Sequence, residues 1–105
     1  MKILFDQCTP VPLRRHLHPH LVDTCAERGW STLQNGDLLD QAESDEYEVF
    51  ISTDLNLKHQ QNLTSRRIRI LVLTTPSWPK IRKKVHKVRD ALESLDQGGY
   101  AEVEI

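Results

Sequence analysis

The chain has 105 residues, with 14 lysines and arginines, 15 aspartates and glutamates, and a formal net charge of −1. This length suits one domain over residues 1–105 and is too short for two. No apolar stretch approaches the roughly 20 residues that cross a bilayer, and Cys8 and Cys25 are too few for a disulfide framework. We therefore expect a cytoplasmic protein with no membrane contact.

The first half of the chain predicts two strands separated by a helix. The run Lys2–Asp6 is apolar and ends in an acid, which is typical of a buried strand. Thr9 is then expected to cap a helix over about Val11–Leu17, because proline is favoured in a helix's first turn. A second strand is expected over His20–Cys25.

The middle of the chain repeats this alternation. Asn35 is expected to cap a helix over about Asp37–Ser44, with its apolar side chains on the buried face. A strand follows over Glu48–Thr53, and the polar segment Lys58–Leu63 predicts a short helix.

The last third predicts a strand over Arg69–Thr74 and one long helix capped by Ser77. Apolar residues with spacings of four, three, four and three form the stripe of that helix: Ile81, Val85, Val88, Leu92 and Leu95. The glycines at 98 and 99 end it, and Ala101–Ile105 predicts a short edge strand. Strands that alternate with helices predict an α/β fold with three layers, α/β/α, and a mainly parallel sheet of four to five strands.

Two aspartates mark a candidate site, because each follows an apolar strand. Asp6 ends the first strand and Asp54 follows the third, at the sheet edge where ligands bind in open α/β folds. Mg²⁺ commonly takes one or two carboxylates and keeps several waters. Asn56 could add an amide oxygen and Asp37 a third carboxylate. An aspartate in this position also commonly caps a helix or fixes a turn, and that alternative stays open.

The opening strand with Asp6, the segment Asn35–Leu39 and the segment Ser52–Leu57 resemble the PIN-like domains, and more closely the small bacterial proteins of this type. The resemblance covers most of residues 1–75. It implies a parallel sheet, acids that bind Mg²⁺ or Mn²⁺, and metal-dependent endoribonuclease activity. It also implies a VapC-type toxin with a cognate antitoxin, and a homodimer. By position, Asp6 and Asp54 match acids of that site, with Asn56 and Asp37 as further members.

Basic residues concentrate in the second half of the chain. Residues 1–57 hold ten acidic and four basic residues, whereas residues 58–105 hold five acidic and ten basic ones. Lysines and arginines that contact phosphates give RNA affinity without sequence preference. The candidate RNA-binding residues are Lys58, His59, Arg66, Arg67, Lys80, Lys83, Lys84 and Lys87. A solvated amphipathic helix explains the same pattern, and an acidic antitoxin segment could use the same surface.

Three functions are compatible with these features. The first is a metal-dependent ribonuclease in which Asp6 and Asp54 hold the metal with help from Asn56 and Asp37. The second is a non-catalytic RNA- or protein-binding module, because active PIN nucleases usually carry three or four acids and only two are placed here. A phosphatase or response-regulator-like domain ranks last, since no lysine follows a late strand in the required place.

Overall fold

A computed structural model describes residues 1–60, 62–63 and 65–105. Within these residues, five strands form one sheet in the order β2-β1-β3-β4-β5, and every neighbouring pair is parallel. The strands are β1 (Lys2–Phe5), β2 (Leu21–Thr24), β3 (Val49–Ser52), β4 (Arg69–Leu73) and β5 (Tyr100–Val103). The helices are a 3-10 helix (Val11–Leu17), α1 (Asn35–Ser44), α2 (Leu57–Gln60), α3 (Trp78–Arg82) and α4 (Val85–Ser94).

The sheet is buried on both faces, which explains why its central strands are continuously apolar. Successive strand residues alternate between the faces, so Ile3 and Phe5 belong to one core cluster and Leu4 to the other. The side of the sheet that carries the first cluster is called face one. It is covered by the 3-10 helix, α3 and α4. Face two is covered by α1 and α2. The predicted three-layer α/β/α class with a parallel sheet is therefore confirmed.

The side-chain caps expected at the helix starts are not formed within the described residues. The hydroxyl of Thr9 donates instead to the carbonyl of Ile51 at 3.0 Å, and the 3-10 helix starts after Pro10. Asn35 lies inside α1, where its amide donates to Gln60 Oε1 at 3.1 Å. Tertiary partners thus take the polar groups that local sequence assigns to capping.

The prediction of a single long helix after Ser77 is wrong. The chain forms α3 and α4, which are separated by a turn at Lys83 and Lys84. The apolar stripe spans both helices nevertheless: Ile81 and Val88 are fully buried on face one. The spacing of apolar residues indicates which face of a helix is buried. A turn between two helices can keep the same face buried, so the spacing alone does not reveal the turn.

The short helix expected over Lys58–Leu63 is present as α2 over Leu57–Gln60, and Gln61 lies outside the described residues. In the part of the chain that the structure describes, no helix has the length and apolar character needed to span a bilayer.

Candidate functional site

Asp6 is the first residue beyond β1, and its carboxylate is held by two donors. The backbone N–H of Gln7 donates to Oδ1 at 2.8 Å, and the Ser52 hydroxyl donates to Oδ2, also at 2.8 Å. The backbone N–H of Asp6 donates to the Ile51 carbonyl at 2.9 Å, which extends the pairing of β1 with β3 to this point. The aspartate therefore has a fixed position at the carboxyl end of the sheet.

Ser52 connects the two predicted acids. It is fully buried at the end of β3, and its Oγ accepts the backbone N–H of Asp54 at 3.0 Å while it donates to Asp6. Asp54 Oδ1 in turn accepts the backbone N–H of Asn56 at 2.9 Å. The structure thus brings Asp6, Asp54 and Asn56 to one edge, as expected, and Asp54 also fixes the turn before α2.

Asp37 lies apart from this pair. It is exposed in the first turn of α1, where it lines a polar recess of about 530 Å³ together with Gln34, Asn35, Gly36 and Gln60. Among the described residues, no group of three or more histidine, cysteine, aspartate or glutamate side chains is arranged to hold a metal ion. Asp37 is therefore not a third carboxylate beside Asp6 and Asp54 in this arrangement.

The two strand-end carboxylates nevertheless fit a hard divalent cation. Each carboxylate oxygen has two lone-pair directions, so the hydrogen bonds to Asp6 leave acceptor capacity on both of its oxygens. Asp6 and Asp54 are half-buried and accessible from the edge of the sheet. A cation that needs only one or two protein carboxylates matches this donor set.

A buried thiol lies close to the site. Burial raises the pKa of the Cys25 thiol to about 12, and the negative charge of Asp6 adds to the effect. Cys25 extends the pairing of β2 with β1, because its backbone N–H donates to the Phe5 carbonyl at 3.1 Å. The thiol therefore stays protonated at neutral pH and serves as a small apolar group in the core of face two.

Sequence reasoning missed two site residues, both on the edge strand β5. The hydroxyl of Tyr100 donates to Glu102 Oε2 at 2.7 Å, and Lys58 Nζ lies 3.0 Å from the same oxygen. These contacts lower the pKa of the Glu102 carboxyl, and the charge of His59 adds to this. The Tyr-x-Glu spacing was the available signal, because alternate strand residues share a face.

Arg66 is a predicted RNA-binding residue that is already occupied inside the molecule. Its guanidinium lies 2.5 Å from Asp40 Oδ1 and 2.9 Å from Glu43 Oε1, and its side chain is only 14 % exposed. The backbone N–H groups of Arg67 and Ile68 also donate to Glu43. Burial would raise the pKa of Glu43, but these hydrogen bonds outweigh it and lower that pKa.

Arg67 itself lies away from the candidate site. Its side chain borders a recess lined by Glu43, Glu46 and Glu48. These acids surround it with negative charge. Arg66 thus has partners within the molecule, and Arg67 is exposed beside acidic side chains.

A different set of cations lies unpaired at the surface, and all of them are exposed except Lys84, which is half-buried. We call the residues Lys80, Arg82, Lys83 and Lys84, on α3 and the turn after it, the α3–α4 basic surface. Their side chains form no ion pair or hydrogen bond with other described residues. Lys87, by contrast, donates to the Glu104 carbonyl at 3.3 Å. The segment 55–89 contains ten basic residues and no aspartate or glutamate.

The chain matches no family model, no curated protein and no solved structure at a significant level.

Proposed function

We propose that this protein is a metal-dependent endoribonuclease of the PIN-like type, acting in the cytoplasm as the toxin of a toxin–antitoxin pair. The observation that carries the proposal is the hydrogen-bonded chain Asp6–Ser52–Asp54 at the carboxyl edge of a parallel sheet. This edge is the usual ligand-binding position in such folds. A cognate antitoxin and a homodimer belong to the same proposal.

Asp6 and Asp54 would hold Mg²⁺ or Mn²⁺, with the amide oxygen of Asn56 as a further ligand. A bound divalent cation lowers the pKa of a coordinated water and neutralises charge on a phosphate. The protein's own contribution is orientation. Ser52 fixes one carboxylate oxygen of Asp6 and the backbone of Asp54, so both acids are positioned before substrate arrives.

The α3–α4 basic surface would hold the RNA backbone. Its four side chains carry positive charge that no described acidic group neutralises, so phosphate binding displaces only counterions and water. α3 follows the carboxyl end of β4, which is at the same edge of the sheet as Asp6 and Asp54. Nucleic acid held there lies on the side of the molecule from which the acids are reached.

The test is cleavage of a mixed RNA pool by purified protein with Mn²⁺ or Mg²⁺, and with EDTA. We expect Asp6→Asn and Asp54→Asn to lower the cleavage rate by more than about 100-fold, since changes to outer partners of metal ligands alone cost 10–100-fold. Asp37→Asn is the matched control, and we expect its rate to stay within about threefold of the original. Folding of each variant is checked by circular dichroism.

A second candidate is a non-catalytic RNA-binding module, favoured because the described residues contain no group of three or more histidine, cysteine, aspartate or glutamate side chains that could hold a metal ion. It predicts RNA binding that is indifferent to EDTA and falls steeply with salt. Metal-dependent cleavage that disappears in Asp6→Asn protein would exclude it. Equal RNA degradation by the original protein and by Asp6→Asn would instead exclude the ribonuclease site proposed here.

A further inference from the structure

A cluster of three polar side chains extends the candidate site toward the edge strand β5. Glu102 Oε2 receives two donors, the Tyr100 hydroxyl at 2.7 Å and the Lys58 ammonium at 3.0 Å. Lys58 belongs to α2, the single helical turn that follows Asp54 and Asn56. The cluster therefore connects the segment that carries Asp54 to the edge strand β5.

The sheet register places this cluster in line with the two acids. Ser52 is paired with Val72, and Val72 is paired with Glu102, so the three residues form one row across neighbouring strands. Val72 belongs to face two, and side chains in one row of a parallel sheet share a face. Neighbouring strands are about 4.8 Å apart, which puts the Glu102 backbone roughly 10 Å from that of Ser52.

Electrostatics also connects the cluster to the acids. Burial raises the pKa of the Tyr100 hydroxyl, its hydrogen bond to Glu102 adds to the rise, and the negative charge of Asp54 contributes as well. Asp54 and Lys58 thus both act on the Tyr100–Glu102 pair. Ser52, at one end of the row, is hydrogen-bonded to both acids, and Glu102, at the other end, is paired with Lys58.

Lys58 keeps donor capacity for a ligand. An ammonium group has three N–H donors, and within the described part of the chain the polar partner of the Lys58 ammonium is Glu102. The side chain of Lys58 is 42 % exposed and that of Glu102 is 33 % exposed. An ion pair this accessible adds little to folding stability, and it leaves the ammonium open to solvent and to a ligand.

We propose that Lys58 binds a phosphate of single-stranded RNA next to the position of cleavage, and that Glu102 and Tyr100 are positioning residues for its ammonium group. This inference rests on the proposed function, because it assigns a phosphate subsite to the same site. Tyr100 and Glu102 do not contact RNA themselves.

The proposal makes a prediction whose sign is unusual. Removal of an acidic residue from an RNA-binding protein ordinarily tightens binding, because the net charge becomes more positive. If Glu102 positions Lys58, its removal weakens binding instead. Glu104 is the matched control: it lies two residues further along the chain, its side chain is exposed, and no described residue bonds to its carboxylate.

The experiment measures fluorescence anisotropy of a labelled single-stranded RNA of about 12 nucleotides in EDTA, over a range of salt concentrations. We expect Lys58→Ala to weaken binding about three- to tenfold and to reduce the salt slope by about 0.7, the value of one phosphate contact on a single strand. Glu102→Ala should weaken binding by a similar factor. The double variant should bind like Lys58→Ala alone, because Glu102 acts through that lysine. Glu104→Ala should bind as tightly as the original protein or more tightly.

Tighter binding by Glu102→Ala overturns the proposal, as does unchanged binding by Lys58→Ala or a lack of binding by the original protein. Should Glu102→Ala fail to fold, Tyr100→Phe provides the same test, since it removes only the hydroxyl donor and should also weaken binding. The measurement in EDTA involves no cleavage. Loss of the predicted binding pattern therefore counts against this subsite, whereas absence of metal-dependent cleavage counts against the proposed ribonuclease.

Discussion

Two cationic regions of this molecule differ in what their side chains already hold. Arg66 is buried against Asp40 and Glu43 and closes a network that joins α1 to the segment before β4. The α3–α4 basic surface has four cations, three exposed and one half-buried, without such partners among the described residues. Arg66 and the four cations of the α3–α4 basic surface are all counted in the excess of basic residues in the second half of the chain. Charge in a sequence therefore indicates attraction to a polyanion only where the folded structure leaves it unneutralised.

The largest expected effect on RNA affinity comes from removing all four charges of the α3–α4 basic surface. We expect the variant with alanine at Lys80, Arg82, Lys83 and Lys84 to bind single-stranded RNA about 30-fold more weakly or worse. Its salt slope should fall by about 3, since each phosphate contact contributes about 0.7. Anisotropy at several salt concentrations measures both quantities.

The control keeps all four charges, with arginine in place of the three lysines and lysine in place of Arg82. Its affinity should stay within about threefold of the original. A large loss of affinity in this control would show that helix structure, rather than charge, was disturbed.

Arg66→Ala should have the opposite result, with a loss of stability and little change in RNA affinity. We expect it to lower the free energy of unfolding by about 1–3 kcal/mol, because Asp40 and Glu43 lose a charged hydrogen-bond donor in a largely buried position. RNA affinity at a temperature where the variant is folded should change less than twofold. Urea unfolding measures the first quantity and anisotropy the second. A tenfold loss of RNA affinity with unchanged stability would contradict the role assigned to Arg66.

The smallest expected effect is on the stability of the protein at acidic pH. The folded pKa of Glu43 is lowered below its ordinary value of 4.5, so its contribution to stability is present above about pH 4.5 and is lost as pH falls through the folded pKa. Urea unfolding at pH 6 and pH 3 should show a smaller loss of stability for Glu43→Gln than for the original protein. Glu93→Gln, which removes an exposed carboxylate of α4, should lose as much as the original. Equal losses for both variants would remove Glu43 from the acid response.

Much of the architecture could be predicted because periodicity reports burial directly. The apolar strands around Leu4, Phe50 and Leu71 were identified from their runs, and all five strands lie where they were expected. Helix starts were harder to predict, because the polar groups of Thr9 and Asn35 have partners that lie far away in sequence. The local sequence does not show whether the Thr9 hydroxyl will bond to a nearby backbone N–H or to the carbonyl of Ile51, 42 residues away.

The candidate site was predictable only in part, for the same reason. Asp6 and Asp54 follow apolar strands, so their shared edge follows from parallel topology. Glu102 was missed because its place in the row depends on the register of β4 and β5, which no short motif records. Asp37 was included because it lies in the first turn of a predicted helix, and among the described residues it forms no metal-holding group of three with Asp6 and Asp54.

The wholly parallel sheet also governs how the molecule must assemble. Parallel neighbours cannot be joined by a tight hairpin, so each of the four strand pairs closes only after a crossover segment has been arranged. Sheets built from such distant pairings fold slowly, because loop entropy is lost before contacts compensate for it. During that interval the apolar runs of β1, β3 and β4 are exposed to solvent and to one another on neighbouring chains. We expect refolding from urea to yield more native monomer at low protein concentration than at high concentration.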